Sequence, residues 1–490
     1  MTIKFKNSYA NLPPKFYSKT EPTPVSNPKL ILSNSSLAQE LEIPENWMLS
    51  QQGIDTFSGN KILSGSEPLA MVYAGHQFGH FSPQLGDGRA ILLGECLDTF
   101  GMRRDIQLKG SGQTNYSRSG DGRSPIGPVI REYLVSEAMH ALNIPTTRAL
   151  AAVSTGDTVY RDTSFPGGIL TRVAKSHVRI GTFEYFASIN DIESVQILSD
   201  YCINRLYPDC LKSTDKYLSF LKSVVEKQIS LVAKWMSVGF IHGVMNTDNI
   251  SISGETIDFG PCAFMEAFNP SQVFSAIDVN GRYRYSNQPE ILLWNLMRLA
   301  ETLLPLIDKN QEKAIEKVTV ILKDFWPLFE TNWLEILLKK IGFSTVEHND
   351  DLFINELLAL IESTQSDFTL SFRYLSHLLL KNPKPLPVQL PLFESESFKK
   401  WVPRWKKRLE SEPSSLIDIS SQMNATNPLY IPRNHLVEAA IQEAIQENKF
   451  DLMKTLNTLW KQPFLTNEKY EQFSYPATDK NEVTTTFCGT

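Results

Sequence analysis

The residues able to do chemistry concentrate between His242 and Gly260. Asp248 and Asn249 are neighbours, and nine residues after Asn249 comes the turn Asp258-Phe259-Gly260. Between them a short apolar run (Ile250, Ile252, Ile257) reads as strand. An amide oxygen and a carboxylate brought together by such a segment can share one divalent cation, and that cation can carry the phosphates of a nucleotide. One residue departs from phosphoryl-transfer chemistry. Loops that open His-Arg-Asp place the proton-accepting Asp two residues after the His; here that position is Val244, which takes no proton.

A phosphate site also needs cations, and the chain carries them upstream. Gly86-Asp87-Gly88-Arg89 precedes an apolar run. By itself it reads as a β-hairpin turn, yet two glycines also let a backbone approach phosphate oxygens, with Arg89 adding charge. Lys109 ends the next strand-like run, 20 residues after Arg89, the order in which a nucleotide-binding lysine follows a Gly-rich loop. Glu132, in the helix beyond, can pair with it; Glu137 competes, and the helical period does not choose between them. A second Gly120-Asp121-Gly122-Arg123 lies just before that helix, where free backbone N–H groups can grip an anion or a ribose. Arg172 and Arg179, with Lys175 and His177 between them, are either a solvated face or a guanidinium clamp on phosphate.

The elements that must position these groups follow from period and punctuation. Residues 1–60 are rich in Pro and Asn and read as an extended lead-in with one short amphipathic piece, Ser36 to Leu41. Residues 61–185 are dense in Gly and in short β-like runs, Ala90 to Leu93 and Asp105 to Lys109 among them. One helix interrupts these: Pro128 suits its first turn, Ile130, Leu134, Ala138 and Leu142 recur at helical spacing, and Pro145 stops it. Residues 186–380 turn helical, with apolar periods through Leu218–Phe240, Ile291–Ile307 and Leu352–Ile361. The Pro-rich segment Lys381 to Pro391 reads as a crossing into a helical extension over 381–490, for example Leu436 to Ile445. Sheet with one helix first and helices afterwards is an α+β, two-lobed order.

Composition excludes several classes. The 490 residues are 42% hydrophobic and 21% charged with a net charge of −6, so no basic surplus supports a nucleic-acid or anionic-membrane partner. The N-terminus lacks a long apolar signal region and no uninterrupted apolar stretch reaches membrane-spanning length, which predicts a cytoplasmic protein with no membrane partner. The five cysteines, Cys96, Cys202, Cys210, Cys262 and Cys488, have no zinc or disulfide-framework spacing. Cys488 stands in a polar tail and reads as an incidental thiol or as one able to find a partner. No Gly-Lys dipeptide occurs, which removes a Walker-type loop, and Gly110-Ser111-Gly112 lacks the third glycine of a dinucleotide fingerprint. His76 and His80 have metal-compatible spacing but no Glu beside them, so zinc is not expected there.

Together these segments resemble the SelO (YdiU) family of kinase-like protein AMPylators. The resemblance rests on Tyr73 to His80, Gln84 to Ala90, Gln107 to Gln113, Arg118 to Ser124, His242 to Asn249, Ile257 to Pro261, Arg282 to Pro289, Asn427-Pro428 with Arg433-Asn434, and a cysteine third from the end. It covers nearly the whole chain, and so many segments in one order are specific. It implies a protein-kinase-like fold with a β-rich N-lobe, a helical C-lobe and a C-terminal helical extension. It implies that Gly86, Gly88 and Arg89 lie over ATP, that Lys109, positioned by Glu132, meets its phosphates, and that Asp121, Gly122, Arg172 and Arg179 complete the phosphate site. Asn249 and Asp258 would hold Mg²⁺ (or Mn²⁺), and Asp248 would be the proton acceptor, ionised at neutral pH if its pKa is an ordinary ~3.9. The implied reaction moves AMP from ATP to a Ser, Thr or Tyr hydroxyl of a protein and releases diphosphate. The rival readings are UMPylation with UTP and Mn²⁺, an ordinary phosphotransferase, and a nucleotide-binding scaffold without activity.

Two departures matter. Phe259 stands where the family commonly has Tyr, which changes little. Ser275 stands about where bacterial relatives often carry a cysteine able to pair with the C-terminal one, which argues against that disulfide here. Cys262 could replace it in a redox pairing with Cys488 only if the segment bends to bring the Cα atoms within about 7 Å.

Overall fold

The computed structural model describes residues 3–382 and 385–487. Its sheet is built from β1 (Tyr17–Lys19), β2 (Lys29–Ser33) and β3 (Leu69–Met71), then, after a separate hairpin of β4 (Gly75–Gln77) and β5 (His80–Ser82), from β6 (Ala90–Leu97), β7 (Arg103–Lys109), β8 (Ser124–Pro125), β9 (Arg148–Tyr160) and β10 (Ser164–Ala174). The order across the sheet is β1-β3-β6-β7-β10-β9-β2, with β8 beside β10. The strand pairs are antiparallel.

Alternation along the central strands sorts apolar from chemical groups. Ile106 and Leu108 of β7, with Leu93, Ile169 and Val173, face the short helices α1 (Ser35–Glu40), α2 (Glu45–Met48) and α3 (Gln51–Phe57) and bury Leu37, Trp47 and Phe57. Gln107 and Lys109, one residue out of phase, face the opposite side, where α4 (Ile126–Ala141) crosses the sheet. The far side of α4 packs Ile130, Leu134 and Ala138 against Val437, Ala440, Leu456 and Trp460 of the C-terminal helices Asn434–Glu447 and Asp451–Trp460. Arg131 adds an ion pair to Glu438. The helix bearing Glu132 is therefore held between the sheet and the C-terminal extension.

Residues 1–60 do more than the sequence predicts. They supply β1, β2 and α1–α3; α1 coincides with the amphipathic piece Ser36 to Leu41, whereas α2 and α3 are too short for an apolar period to stand out beyond turns such as Pro44.

From Arg179 onward the chain is helical: α5 (Ile180–Ser188), α6 (Ile192–Leu206), α7 (Lys216–Ser237), α8 (Gln288–Ile307), and further helices to Trp460. Between α7 and α8, β11 (Phe240–Ile241) pairs with β12 (Ala263–Phe264) through Phe240 opposite Phe264 and Ile241 opposite Ala263. This ladder makes residues 242–262 double back on themselves. The expected strand through Ile250 and Ile257 is not formed; single bridges, Ser251 to Arg179 and Thr256 to Thr146, flank a turn at Gly254. The isoleucines are buried all the same. Among the described residues no helix is long and apolar enough to cross a membrane.

Candidate active site

Gly86, Gly88, Arg89, Lys109, Asp121, Gly122, Glu132, Arg172, Arg179, Asp248, Asn249 and Asp258 all border one cleft of about 640 Å³. Asp258 is its electrostatic centre. Its backbone is left-handed (φ 63°), a region where an Asp costs about 1 kcal/mol or more but is better tolerated than most side chains. That twist aims the carboxylate at three cations. Lys109 Nζ and Arg172 donate to Oδ1, each at 2.7 Å, and Arg179 donates to Oδ2 at 2.6 Å. Burial alone would raise the Asp258 carboxyl, but Lys109, Arg179 and Arg172 hold it well below the usual carboxylate range.

Sheet register explains how the cations converge. Arg172 on β10 stands opposite Gln107 on β7, whose Oε1 accepts from its guanidinium at 2.6 and 3.2 Å. Glu132 of α4 bridges the pair, taking Lys109 on Oε2 at 2.6 Å and Arg172 on Oε1 at 3.0 Å. Glu137 lies elsewhere, bound to Arg148 at 2.8 and 2.9 Å and to Asn34 at 2.6 Å. Of the two candidates, Glu132 is the residue in contact with Lys109. Arg179 precedes α5, and the pairing of its neighbours Val178 and Ile180 with Ile252 and Ile250 carries it to the 242–249 loop. Around the whole cleft seven Lys and Arg side chains face five carboxylates, which leaves positive charge for an anion.

Asp248 lies beside this cluster in a different environment. Its Oδ2 receives only Gln77 Nε2, at 3.4 Å, and its buried Oδ1 has no partner. Burial pushes its carboxyl up to about 7, against the pull of Arg179. The expectation of an ordinary, fully ionised carboxylate is thereby corrected: the β4–β5 hairpin and α5 fold over Asp248 and remove its water. A Cβ on Gly75 would come within 2.5 Å of Oδ1, so only glycine leaves room for this carboxylate. Asn249 turns its amide nitrogen onto the Val244 carbonyl at 2.9 Å, which leaves its oxygen for another partner. His242 is a clamp, its Nε2 2.9 Å from the Ile257 carbonyl oxygen.

The two Gly-Asp-Gly-Arg motifs also carry packing roles of their own. Asp87 is buried, accepting Met71 N–H and Gln107 at 3.2 Å each, and so pins its loop to the sheet. Gly86 (φ 83°) lies where a Cβ would strike the Tyr116 ring, and Gly122 (φ 66°) where one would strike the Gly112 carbonyl. Close packing of the 86–89 loop against residues 112–122 therefore requires these glycines before any ligand does. The 86–89 segment is not a two-strand hairpin turn, since β5 before it pairs with β4 and β6 after it pairs with β3 and β7. Asp121 stands at the mouth in a two-pronged pair with Arg161, 3.0 Å on each prong.

These contacts define a cationic cleft over a left-handed Asp turn, and the whole chain can be set beside known proteins on that basis. The family model described as protein adenylyltransferase SelO matches residues 1–461. The chain belongs to the SelO family. Proteins named "Protein nucleotidyltransferase YdiU" from Rhizobium rhizogenes and Bradyrhizobium diazoefficiens are each 50% identical to it, over 488 and 492 residues, covering all of this chain and 97% and 100% of theirs. One of the same name from Maridesulfovibrio salexigens is 50% identical over 489 residues, covering all of this chain and 98% of its own. The SelO-family chain is thus an enzyme, a nucleotidyltransferase.

Several residues of this SelO-family cleft were not singled out from sequence. Gln107 could have been, since it lies two residues before Lys109 and so on the same face of the strand. Asp87 lies inside a motif read for its glycines and arginine, and Gln77 and Arg161 carry no such local signal. Nor does Glu184 of α5, which is buried and accepts from His76 Nδ1 at 2.5 Å and from the Thr247 hydroxyl. The His76 backbone N–H in turn donates to Thr247 Oγ1 at 2.7 Å, so His76 anchors the loop. Cys262 is buried directly after the Asp258 turn. The tail reaches the same segment: Thr486 pairs with Phe274 and Ala276 through its backbone, and its hydroxyl donates to the Pro261 carbonyl at 2.5 Å. Cys488 lies outside the described residues.

Proposed function

We propose that this chain is a protein adenylyltransferase that moves AMP from ATP to Ser, Thr or Tyr hydroxyls of proteins, on a protein-kinase-like two-lobed fold. The lobes would be residues 61–185 and 186–380, with 1–60 as lead-in and 381–490 as extension. The observation that carries the reading is the pairing of Asp258, held by three cations, with Asp248, a buried carboxylate whose Oδ1 has no partner, while Val244 fills the position of a kinase base. Lys109, Arg172 and Arg179 bind the phosphate chain. Asp248 accepts the proton of the incoming hydroxyl. The hydroxyl oxygen bonds to the α-phosphorus, the bond from that phosphorus to the bridging oxygen breaks, and diphosphate leaves with the electron pair.

A divalent cation fits the same cleft. The Asn249 amide is oriented by Val244 with its oxygen free, and Asp258 keeps acceptor capacity beyond its three donors. Among the described residues no cluster of three or more His, Cys, Asp or Glu could cage a metal by itself, which suits Mg²⁺ or Mn²⁺ arriving with its nucleotide. Bound there, the cation would neutralise charge on the phosphate oxygens.

The test is incubation of the protein with ATP labelled at the α or the γ phosphorus, and with α-labelled UTP. Acid-stable label on protein from α-labelled ATP is expected. Label from the γ position alone would identify a phosphotransferase, and label from UTP alone a uridylyltransferase.

A further inference from the structure

We propose that the acceptor polypeptide lies across the rim formed by the β4–β5 hairpin and residues 277–284, and that Arg282 selects chains with an acidic side chain beside the hydroxyl. The inference rests on the transfer reading above, because a polypeptide lies across this rim only if one of its hydroxyls reacts beside Asp248. Gln77 and Phe78 of the hairpin and Ile277 border the cleft on the Asp248 side. They are bound into one surface: Tyr283 donates its hydroxyl to Asn246 Oδ1 at 2.6 Å, and Phe78 N–H donates to the same oxygen at 3.1 Å. A hydroxyl approaching Asp248 from this side crosses that surface. Its apolar groups are exposed, Ile277 by 59%, Val279 by 89% and Phe81 by 40%, enough to receive an extended segment without a preformed pocket.

Arg282 gives the rim its chemical preference. Its guanidinium stacks 4.9 Å above the Trp294 ring and lies 3.6 Å from where a Cβ on Gly79 would be. Among the described residues no carboxylate pairs with it, and its buried Nε has no partner. The neighbouring carboxylates are engaged elsewhere. Asp278 accepts the backbone N–H groups of Arg282 and Tyr283 at 2.8 and 2.7 Å, Glu184 holds His76 and Thr247, and Glu301 pairs with Arg298 at 2.7 Å. Stacking on Trp294 accounts for the orientation of Arg282 but leaves its charge uncompensated. A flat guanidinium held by an aromatic ring presents its fork to a carboxylate at little further entropic cost.

The experiment offers α-labelled ATP and three synthetic peptide pools, each with one central hydroxyl flanked by Asp, Ala or Lys, to the wild-type protein, to Arg282→Gln and to Arg282→Glu. Wild type should label the Asp pool roughly three- to ten-fold better than the Lys pool, the range of a partly exposed charge contact. Arg282→Gln, which can still lie on Trp294, should abolish the preference, and Arg282→Glu should reverse it. Because each enzyme is read as a ratio between pools, loss of overall rate does not obscure the result. The same ranking in all three enzymes, or no ranking in the wild type, overturns the role of Arg282 and leaves AMP transfer standing. No label on any pool or on the protein itself, with ATP still bound, overturns the transfer reading and this inference with it.

Discussion

One guanidinium nitrogen of Arg179 donates to the backbone carbonyl of Asp248 and to the carboxylate of Asp258, each at 2.6 Å. The two parts of the site that differ most in electrostatics, a desolvated carboxylate and a triply paired one, are thus registered by a single side chain. Arg179 also neutralises buried Asp87, 3.9 Å from its other terminal nitrogen.

Arg179→Met is therefore expected to cost at least about 100-fold in AMP transfer, the scale of losing a positioned charge at a reacting phosphate. Arg179→Lys should recover little of it, because a single ammonium replaces a fork that reaches Asp248 and Asp258 with one terminal nitrogen and Asp87 with the other. Transfer rates and nucleotide titrations of both variants check this. Near-wild-type activity of the lysine variant would mean that charge, not geometry, is what Arg179 supplies.

Parts of the Asp258 cluster were legible in the sequence where they depend on short-range rules, but the turning of Arg172 and Arg179 onto Asp258 was not. Strand alternation fixes Lys109 on the face of Gln107, and Pro128 with the apolar period fixes α4 beyond it. The Asp-Phe-Gly turn is a local pattern. What was not legible is long-range. The shift of Asp248 arises because a hairpin 171 residues upstream, where Gln77 meets it, and α5 close over its carboxylate. Glu132 and Glu137 could be told apart only once Arg148 was seen beside the latter. The role of residues 1–60 in the sheet escaped for a related reason, since strands of three and five residues show little pattern until their partners are known.

The two glutamates of α4 should separate activity from stability. Glu132→Gln removes the charge that holds Lys109 and Arg172 and is expected to lower kcat/KM for ATP by roughly 100-fold. Glu137→Ala instead leaves the half-buried Arg148 guanidinium with only Glu40, at 3.8 Å, and takes the acceptor from the buried Asn34 amide and from the Ala149 N–H, which Glu137 accepts at 2.9 Å. A loss of about 3 kcal/mol in folding stability is expected there. Side-by-side thermal unfolding and transfer assays would show the exchange of phenotypes, and a Glu132 variant with intact activity would contradict it.

Acid sensitivity should come partly from the helical extension. Burial alone would raise the Glu412 carboxyl, but hydrogen bonds from Ser344 and Thr345 and the Arg408 guanidinium bring it down to about 2 from 4.5. The folded value lies below the unfolded one, so this contribution is fully present above pH 4.5 and is lost as pH falls towards 2. Glu412→Gln is expected to be less stable than wild type by about 2 kcal/mol at pH 7, with the gap closing below pH 4.5. Urea denaturation at a series of pH values measures it. A gap independent of pH would mean that lost packing, not lost charge, is responsible.

Asp248 has almost no side-chain support of its own, so its position must come from its backbone neighbours. Thr247 supplies that support from one side, bridging Glu184 and the His76 N–H, while Arg179 grips the carbonyl from the other. The nucleotide contacts proposed above run through Lys109, Arg172, Arg179 and Asp258, none of which Thr247 touches. Thr247→Val keeps the shape, loses the hydroxyl and leaves Glu184 buried with His76 alone. It should lower kcat by roughly ten-fold through misplacement of the base, with KM for ATP little changed, and Thr247→Ser should restore the rate. A variant in which KM rises and kcat holds would place Thr247 in nucleotide binding and remove it from the support of Asp248.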